Sequence, residues 1–264
     1  MKKIIVTGKG GVGKTTVIAA LAKLLVNDGH RILIIDTDPS MNLAMTLGVP
    51  YSMLTTLADN KQSVRETLGV DGHEGDETAG HTHKVDDSGI ASIISTYTVL
   101  TGDKIRVMVM GTIPYGGAGC ICSSIALVKL IIQKIEDHIP YLDYVIVDSQ
   151  AGSEVLGRGL AADYDYNLVV TEATPKAMDV ARHMMKLAQD IKVKRQLVIV
   201  NKVESGNDVA TIVKSLGLDI DDIFPVSYDH MVVEADKQGR MLNNFCPESP
   251  VIRDIRLIKD AIAE

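Results

Sequence analysis

The residues Gly8-Lys9-Gly10-Gly11-Val12-Gly13-Lys14-Thr15 place a glycine at each end of a four-residue span and continue it with Lys-Thr. That spacing suits a backbone turning its N–H groups inward on phosphate oxygens, helped by the potential of a helix N-terminus. Lys14 would reach the β and γ phosphates and Thr15 would ligate Mg²⁺. Gly8, Gly10 and Gly13 also satisfy the G-x-G-x-x-G dinucleotide pattern, and Asp36 stands where a ribose-binding acid would. The two residues after Gly13 separate these readings. A dinucleotide has no use for Lys-Thr, whereas a triphosphate with its metal needs both, so nicotinamide binding is the rival reading.

Three other clusters could do chemistry. Asp36-Thr37-Asp38-Pro39 and Asp148-Ser149-Gln150-Ala151-Gly152 each succeed an apolar run, where a carboxylate at a strand end can hold a Mg²⁺-bound water. Cys120-Ile121-Cys122 succeeds Gly116-Gly117-Ala118-Gly119. Two thiolates are half of the roughly four that a closed tetrahedral site for a borderline-soft metal requires. The competing readings are small apolar packers, which also suits the isolated Cys246, and a redox pair, for which Cys-x-x-Cys is the commoner spacing. His73, His81 and His83 sit among carboxylates, and His81-x-His83 could hold a divalent ion weakly against the ordering entropy of a polar loop.

Positioning these groups requires strands and helices in alternation. Lys3 to Thr7, Arg31 to Ile35, Ile105 to Met110, Tyr144 to Val147, Asn167 to Val170 and Gln196 to Val200 are continuously apolar runs of the kind buried on both faces of a sheet. Helical spacing marks Thr15 to Val26, Ser123 to Asp137, Glu154 to Ala162, Lys176 to Gln189, Val209 to Leu216 and Val251 to Ile262. The alternation predicts an α/β fold, doubly wound, with a mainly parallel sheet flanked by helices. No repeat and no linker divides the chain, so residues 1–264 read as one domain. The stretch 71–89 has six acids, one base and little apolar surface, and is expected to be a mobile acidic loop bearing the three histidines.

Composition narrows the function classes. The chain has 264 residues with 27 basic against 34 acidic side chains, a net charge of −7, which is the wrong sign for a protein that neutralises nucleic-acid phosphates. Aromatic residues are 4% and Trp is absent, so base-stacking platforms are not expected. Three cysteines cannot make a secreted disulfide framework, and no apolar run is long enough to cross a bilayer. These features predict a soluble cytoplasmic protein that binds neither nucleic acid nor membrane. The apolar stripe Val251, Ile255, Ile258 and Ile262 could suit an interfacial membrane helix, but its mixed polar face favours packing on the sheet.

The stretch Gly8 to Thr16, with Lys9 directly after the first glycine, resembles the deviant Walker A ATPases, whose members include the nitrogenase iron protein, the arsenite-pump ATPase and the cell-division and plasmid-partition ATPases. The resemblance implies a Mg²⁺-dependent ATPase forming a nucleotide-sandwich homodimer, in which Lys9 reaches the phosphates held by the other subunit. A cation supplied in trans offsets charge on the transferred phosphoryl group, as an arginine finger does. By the same match Lys9, Lys14 and Asp38 are catalytic, Asp38 orienting the attacking water and Asp36 bonding near the metal. The alternative for Asp38 is a cap on a helix spanning Met41 to Leu47. Asp148 to Gly152 is similar to the family's Walker B strand and second switch.

Asn201-Lys202 resembles the base-recognition position, with Pro225 and Val226 lining the adenine pocket through their backbone. Glu204, where a guanine-binding Asp would stand, keeps GTP as an alternative to ATP. Together Gly8, Lys9, Gly10, Gly11, Val12, Gly13, Lys14, Thr15, Thr16, Asp36, Asp148, Asn201, Lys202, Pro225 and Val226 make the expected nucleotide site.

The stretch Met110 to Cys122 further resembles the nickel-insertion ATPases of carbon monoxide dehydrogenase, the CooC type. A two-fold axis near Cys120 and Cys122 would gather four sulfurs from two chains around nickel or zinc. The resemblance implies an ATP-dependent metallochaperone whose client is a metalloenzyme, carbon monoxide dehydrogenase in the best match. The alternative from another class is a partition or positioning switch with structural cysteines.

Overall fold

The computed structural model describes residues 1–69, 87–112, 122–149 and 164–263. Among these, eight strands form one sheet in the order β3-β4-β2-β5-β1-β6-β7-β8. The strands are β1 (Lys2–Gly8), β2 (Ile32–Asp36), β3 (Thr98–Leu100), β4 (Arg106–Val109), β5 (Tyr144–Asp148), β6 (Tyr166–Thr171), β7 (Arg195–Val203) and β8 (Ile223–Ser227). All neighbours pair parallel except β3, which runs antiparallel to β4 at one edge. The helices are α1 (Lys14–Asn27), α2 (Asn42–Thr46), α3 (Lys61–Thr67), α4 (Asp87–Tyr97), α5 (Cys122–His138), α6 (Pro175–Asp190), α7 (Gly206–Leu216), α8 (His230–Lys237), α9 (Leu242–Phe245) and α10 (Pro250–Ala263).

Alternation along the strands sorts the helices into two layers. Ile4 and Val6 of β1 face a core built with α1 and α10, where Leu21, Leu25, Ile255 and Ile258 are fully or almost fully buried. Ile5 faces the opposite core, built with α4, α5 and α6 through residues such as Ile94, Val128, Ile131 and Met184. Both faces of the central strands are covered, which explains their unbroken apolar runs. The stripe Val251, Ile255, Ile258 and Ile262 is buried, so α10 spends its apolar face on the sheet. No described helix is long and apolar enough to cross a membrane.

The structure departs from expectation at several elements, among them α4 and β8. The stretch 71–89 ends inside α4, whose backbone begins at Asp87, so its last three residues are helical and not loop. Its remainder, with His73, His81 and His83, lies outside the described residues, as does the expected helix from Glu154 to Ala162. The cause of α4 is the set Ile90, Ile93, Ile94 and Tyr97, all buried at helical spacing against the second core. Strand β8 carries Pro225 at its centre, which an edge strand tolerates because one side of its ladder needs no N–H.

Candidate nucleotide site

The carboxyl ends of β1, β2 and β5 converge on a cleft of about 240 Å³ lined by Gly10, Gly11, Gly13, Lys14, Thr15, Asp36, Asp38, Ser40, Asn42, Leu43 and Asp148. In open α/β sheets ligands lie in the crevice beyond these strand ends. The loop leaving β1 is shaped by glycine: Gly8 has φ 142°, and a Cβ there would stand 2.1 Å from the Val170 carbonyl oxygen on β6. Gly13, at φ 95°, turns the chain into α1, and a Cβ on it would meet the Asn201 amide at 2.2 Å. Only a residue without a side chain fits either place.

Lys14 opens α1 and is nearly buried, its Nζ donating to the carbonyl oxygens of Gly8 (3.2 Å) and Lys9 (3.5 Å). Burial pulls its ammonium below the usual lysine range, with Asp148 and Asp38 opposing that shift. A desolvated cation whose hydrogen bonds among the described residues go to carbonyls, at the N-terminus of a helix, suits a polyanion. Thr15 comes next, its Oγ1 donating to Asp148 Oδ2 at 3.3 Å.

Asp36 and Asp148 face each other in register on adjacent parallel strands. Asp36 is fully buried and its carboxyl is pushed up to about 7, first by burial and then by Asp38, against an opposing hydrogen bond from the Asp38 N–H to Asp36 Oδ1 (3.0 Å). Asp148, also buried, is raised well above the carboxylate range by burial and by Asp36, with Lys14 pulling the other way. Asp36 Oδ2 and Asp148 Oδ1 have no hydrogen-bond partner among the described residues. Two buried, unsatisfied carboxylate oxygens beside a threonine hydroxyl form an oxygen donor set suited to Mg²⁺ and its waters. The residues present therefore fit the metal a phosphate loop requires.

Residues outside the expected site hold this pair in place. Thr37 donates from its N–H (3.1 Å) and its Oγ1 (2.7 Å) to the Asp148 carbonyl, while the Ser149 hydroxyl donates to the Val6 carbonyl at 2.7 Å. Polar side chains directly after the strand-end acids were the available signal. Asp38 is half-buried, and its Oδ1 accepts from the Ser40 N–H (2.9 Å) and hydroxyl (2.7 Å). It does not cap α2: the residue before that helix is Met41, in the left-handed region at φ 52°, with no side-chain cap. Lys9 is exposed, with Nζ only 3.4 Å from the Gly10 carbonyl.

Asn201, Lys202, Pro225 and Val226 do not line this cleft. Asn201 Nδ2 donates to the Val12 carbonyl at 2.7 Å, and Lys202 Nζ donates to the Gly11 carbonyl at 3.0 Å, so both grip the back of the phosphate loop. Pro225 is exposed on β8 and Val226 is buried in the first core. Gly8, Lys9, Val12 and Thr16 belong to the same loop and first helical turn without lining the cleft. Cys120 lies outside the described residues, and Cys122 is the first residue of α5. Among the described residues no group of three or more His, Cys, Asp or Glu gathers to hold a metal. Cys246 is half-buried and packs against the first core.

The chain is 32% identical over 96% of its length to the carbon monoxide dehydrogenase accessory protein CooC of Rhodospirillum rubrum, covering 92% of that protein. It is 28% identical to the septum site-determining protein MinD of Thermotoga maritima, over 92% of this chain and 84% of that one. The fold matches a solved MinD cell division protein of Aquifex aeolicus with a TM-score of 0.71 at 19% identity, covering 100% of this chain and 97% of the other. A model of the CobQ/CobB/MinD/ParA nucleotide binding domain matches residues 3–242. With that match spanning the loop, the paired acids and the sheet that carries them, the chain belongs to the CobQ/CobB/MinD/ParA family of P-loop ATPases.

Proposed function

We propose that the chain works as one domain that hydrolyses ATP with Mg²⁺, dimerises around nucleotide, and carries nickel or zinc on Cys120 and Cys122 for delivery to carbon monoxide dehydrogenase. Lys14 binds the phosphates, Thr15 with Asp36 and Asp148 would hold the metal that neutralises them, and Asp38 orients the attacking water. The exposed Lys9 is free to reach a partner subunit's nucleotide. Asn201 and Lys202 would meet the base beyond the loop they brace, with Pro225 and Val226 nearby. The similarity to the CooC accessory protein supports carbon monoxide dehydrogenase as the client.

One observation carries the coupling of metal to nucleotide. The Met110 N–H donates to the Asp36 carbonyl at 2.8 Å, so the segment leading from β4 to the Cys-x-Cys departs beside the strand end that holds the acid. A rearrangement at Asp36 and Asp38 on hydrolysis would be felt by that segment through this bond, and any coupling to the cysteines can be no larger than the difference in nucleotide affinity between the two arrangements.

The test is metal content of the purified protein with and without ATP, alongside the double variant Cys120→Ser, Cys122→Ser. Nickel or zinc near one ion per two chains, falling to background in the variant, is expected. Metal unaffected by the variant, together with salt-dependent binding to DNA or anionic vesicles, would instead favour a positioning switch. Reconstitution of apo carbon monoxide dehydrogenase with nickel, with and without ATP, then tests the client.

A further inference from the structure

We infer that Glu172 is a positioning residue for the phosphate loop, acting through Lys202 to hold the Gly11 carbonyl outward and thereby aim the next N–H at the phosphates. This rests on the nucleotide-site reading and adds to it a residue from beyond the end of another strand.

Glu172 lies just past the end of β6, the strand whose Val170 carbonyl the loop abuts at Gly8. Its Oε1 lies 2.5 Å from Lys202 Nζ, and the same ammonium donates to the Gly11 carbonyl at 3.0 Å. Lys202 reaches both only from an unusual backbone: its φ is 59°, in the left-handed region, and the β7–β8 ladder slips between Val200 and Val203. A lysine in that conformation is disfavoured unless its surroundings impose it. The carboxylate, with a quarter of its side-chain surface exposed, supplies the opposite charge that keeps the ammonium in place.

A trans peptide points its carbonyl and the following N–H in opposite directions. Holding the Gly11 oxygen on the outer side therefore fixes the Val12 N–H inward, and Asn201, holding the Val12 oxygen at 2.7 Å, does the same for Gly13. The Val12 N–H is engaged only weakly, 3.5 Å from the Lys9 carbonyl, so an anion can claim it. Glu172 thus raises the fraction of loops already shaped for phosphate, which is expressed as affinity and leaves the bound state's chemistry alone.

Titration calorimetry and steady-state hydrolysis with Mg-ATP on the full chain test this. Glu172→Gln should weaken nucleotide binding roughly fivefold and raise KM in step, with kcat within about twofold of the parent. The charge swap Glu172→Lys with Lys202→Glu should recover the melting temperature without recovering affinity, because a carboxylate at 202 cannot donate to the Gly11 carbonyl. Exchange of the Val12 and Gly13 amides with solvent deuterium, before nucleotide is added, should quicken in Glu172→Gln. Parent-like affinity in Glu172→Gln, affinity restored by the swap, or unchanged amide exchange would each overturn the inference. Failure of the parent chain to bind Mg-ATP would overturn the site reading itself.

Discussion

The two edges of the sheet treat charge in opposite ways. At the amino edge, charges that leave the solvent do so in pairs. Lys3 pairs with Glu136 at 3.0 Å. Asp165 accepts from the Lys3 N–H and Lys194 Nζ, both at 2.7 Å. Burial pushes the Asp165 carboxyl up, but these bonds outweigh it and hold it below the usual range. At the carboxyl edge Lys14 bonds, among the described residues, to carbonyls, and Asp36 and Asp148 each keep a buried oxygen without a described partner. Paired charges hold the fold together, whereas unsatisfied ones mark where a ligand completes the structure.

Removing Lys14 puts the strongest strain on this contrast. Lys14→Ala should lower phosphate release from ATP by a factor on the order of 10²–10³, since one preorganised charge on the transferred group is at stake. The melting temperature without nucleotide should hold or rise, because a desolvated, poorly paired ammonium is gone. A large drop in melting temperature would mean that the carboxyl edge, too, is built for stability.

A smaller effect separates the edges by pH. The folded carboxyl of Asp36 sits near 7 against an ordinary 3.8, so between those values the folded chain holds a proton that the unfolded chain has released. The contribution of Asp36 to stability without nucleotide should therefore be fully present below about pH 4, fall as pH rises toward 7 and be gone above it, by a few kcal/mol at most. Asp36→Asn should flatten that decline in urea titrations. Mg-nucleotide binding near pH 6 should release protons, seen as buffer-dependent heats in calorimetry. Asp165, with its pKa lowered, has the opposite sign: its contribution is present above pH 4 and lost as pH falls further.

The smallest expected change is at the amino edge. Asp165→Asn should cost about 1 kcal/mol in chemical denaturation and leave ATP hydrolysis within about twofold, because it loosens one surface pair and touches no part of the cleft. Hydrolysis falling with stability would erase the division between the edges.

Legibility tracked the same divide between local and assembled features. The phosphate loop is contiguous, so Gly8 to Thr15 could be read directly, and the strand-end acids stood out against apolar runs. Strand β3 is only three residues long and pairs antiparallel with its neighbour, leaving no pattern of its own. Helix α4 did have a signal, Ile90, Ile93, Ile94 and Tyr97 at helical spacing, masked by the polar stretch before it. The link between Glu172 and Lys202 had none, since the two belong to different strand ends and meet only through an ion pair behind the loop.

What the amino-acid order determined alone is the short-range chemistry: a glycine loop able to bend onto phosphates, a lysine and threonine behind it, and strands apolar enough to be buried on both faces. What the tertiary structure decided is which distant groups meet there. Asp36 and Asp148 lie far apart in the chain and become register partners only because β5 inserts between β1 and β2. Their shared burial, and hence their raised protonation, comes from that strand order. Hydrogen-bond register and desolvation act through space, so neither is written in the spacing of residues along the chain.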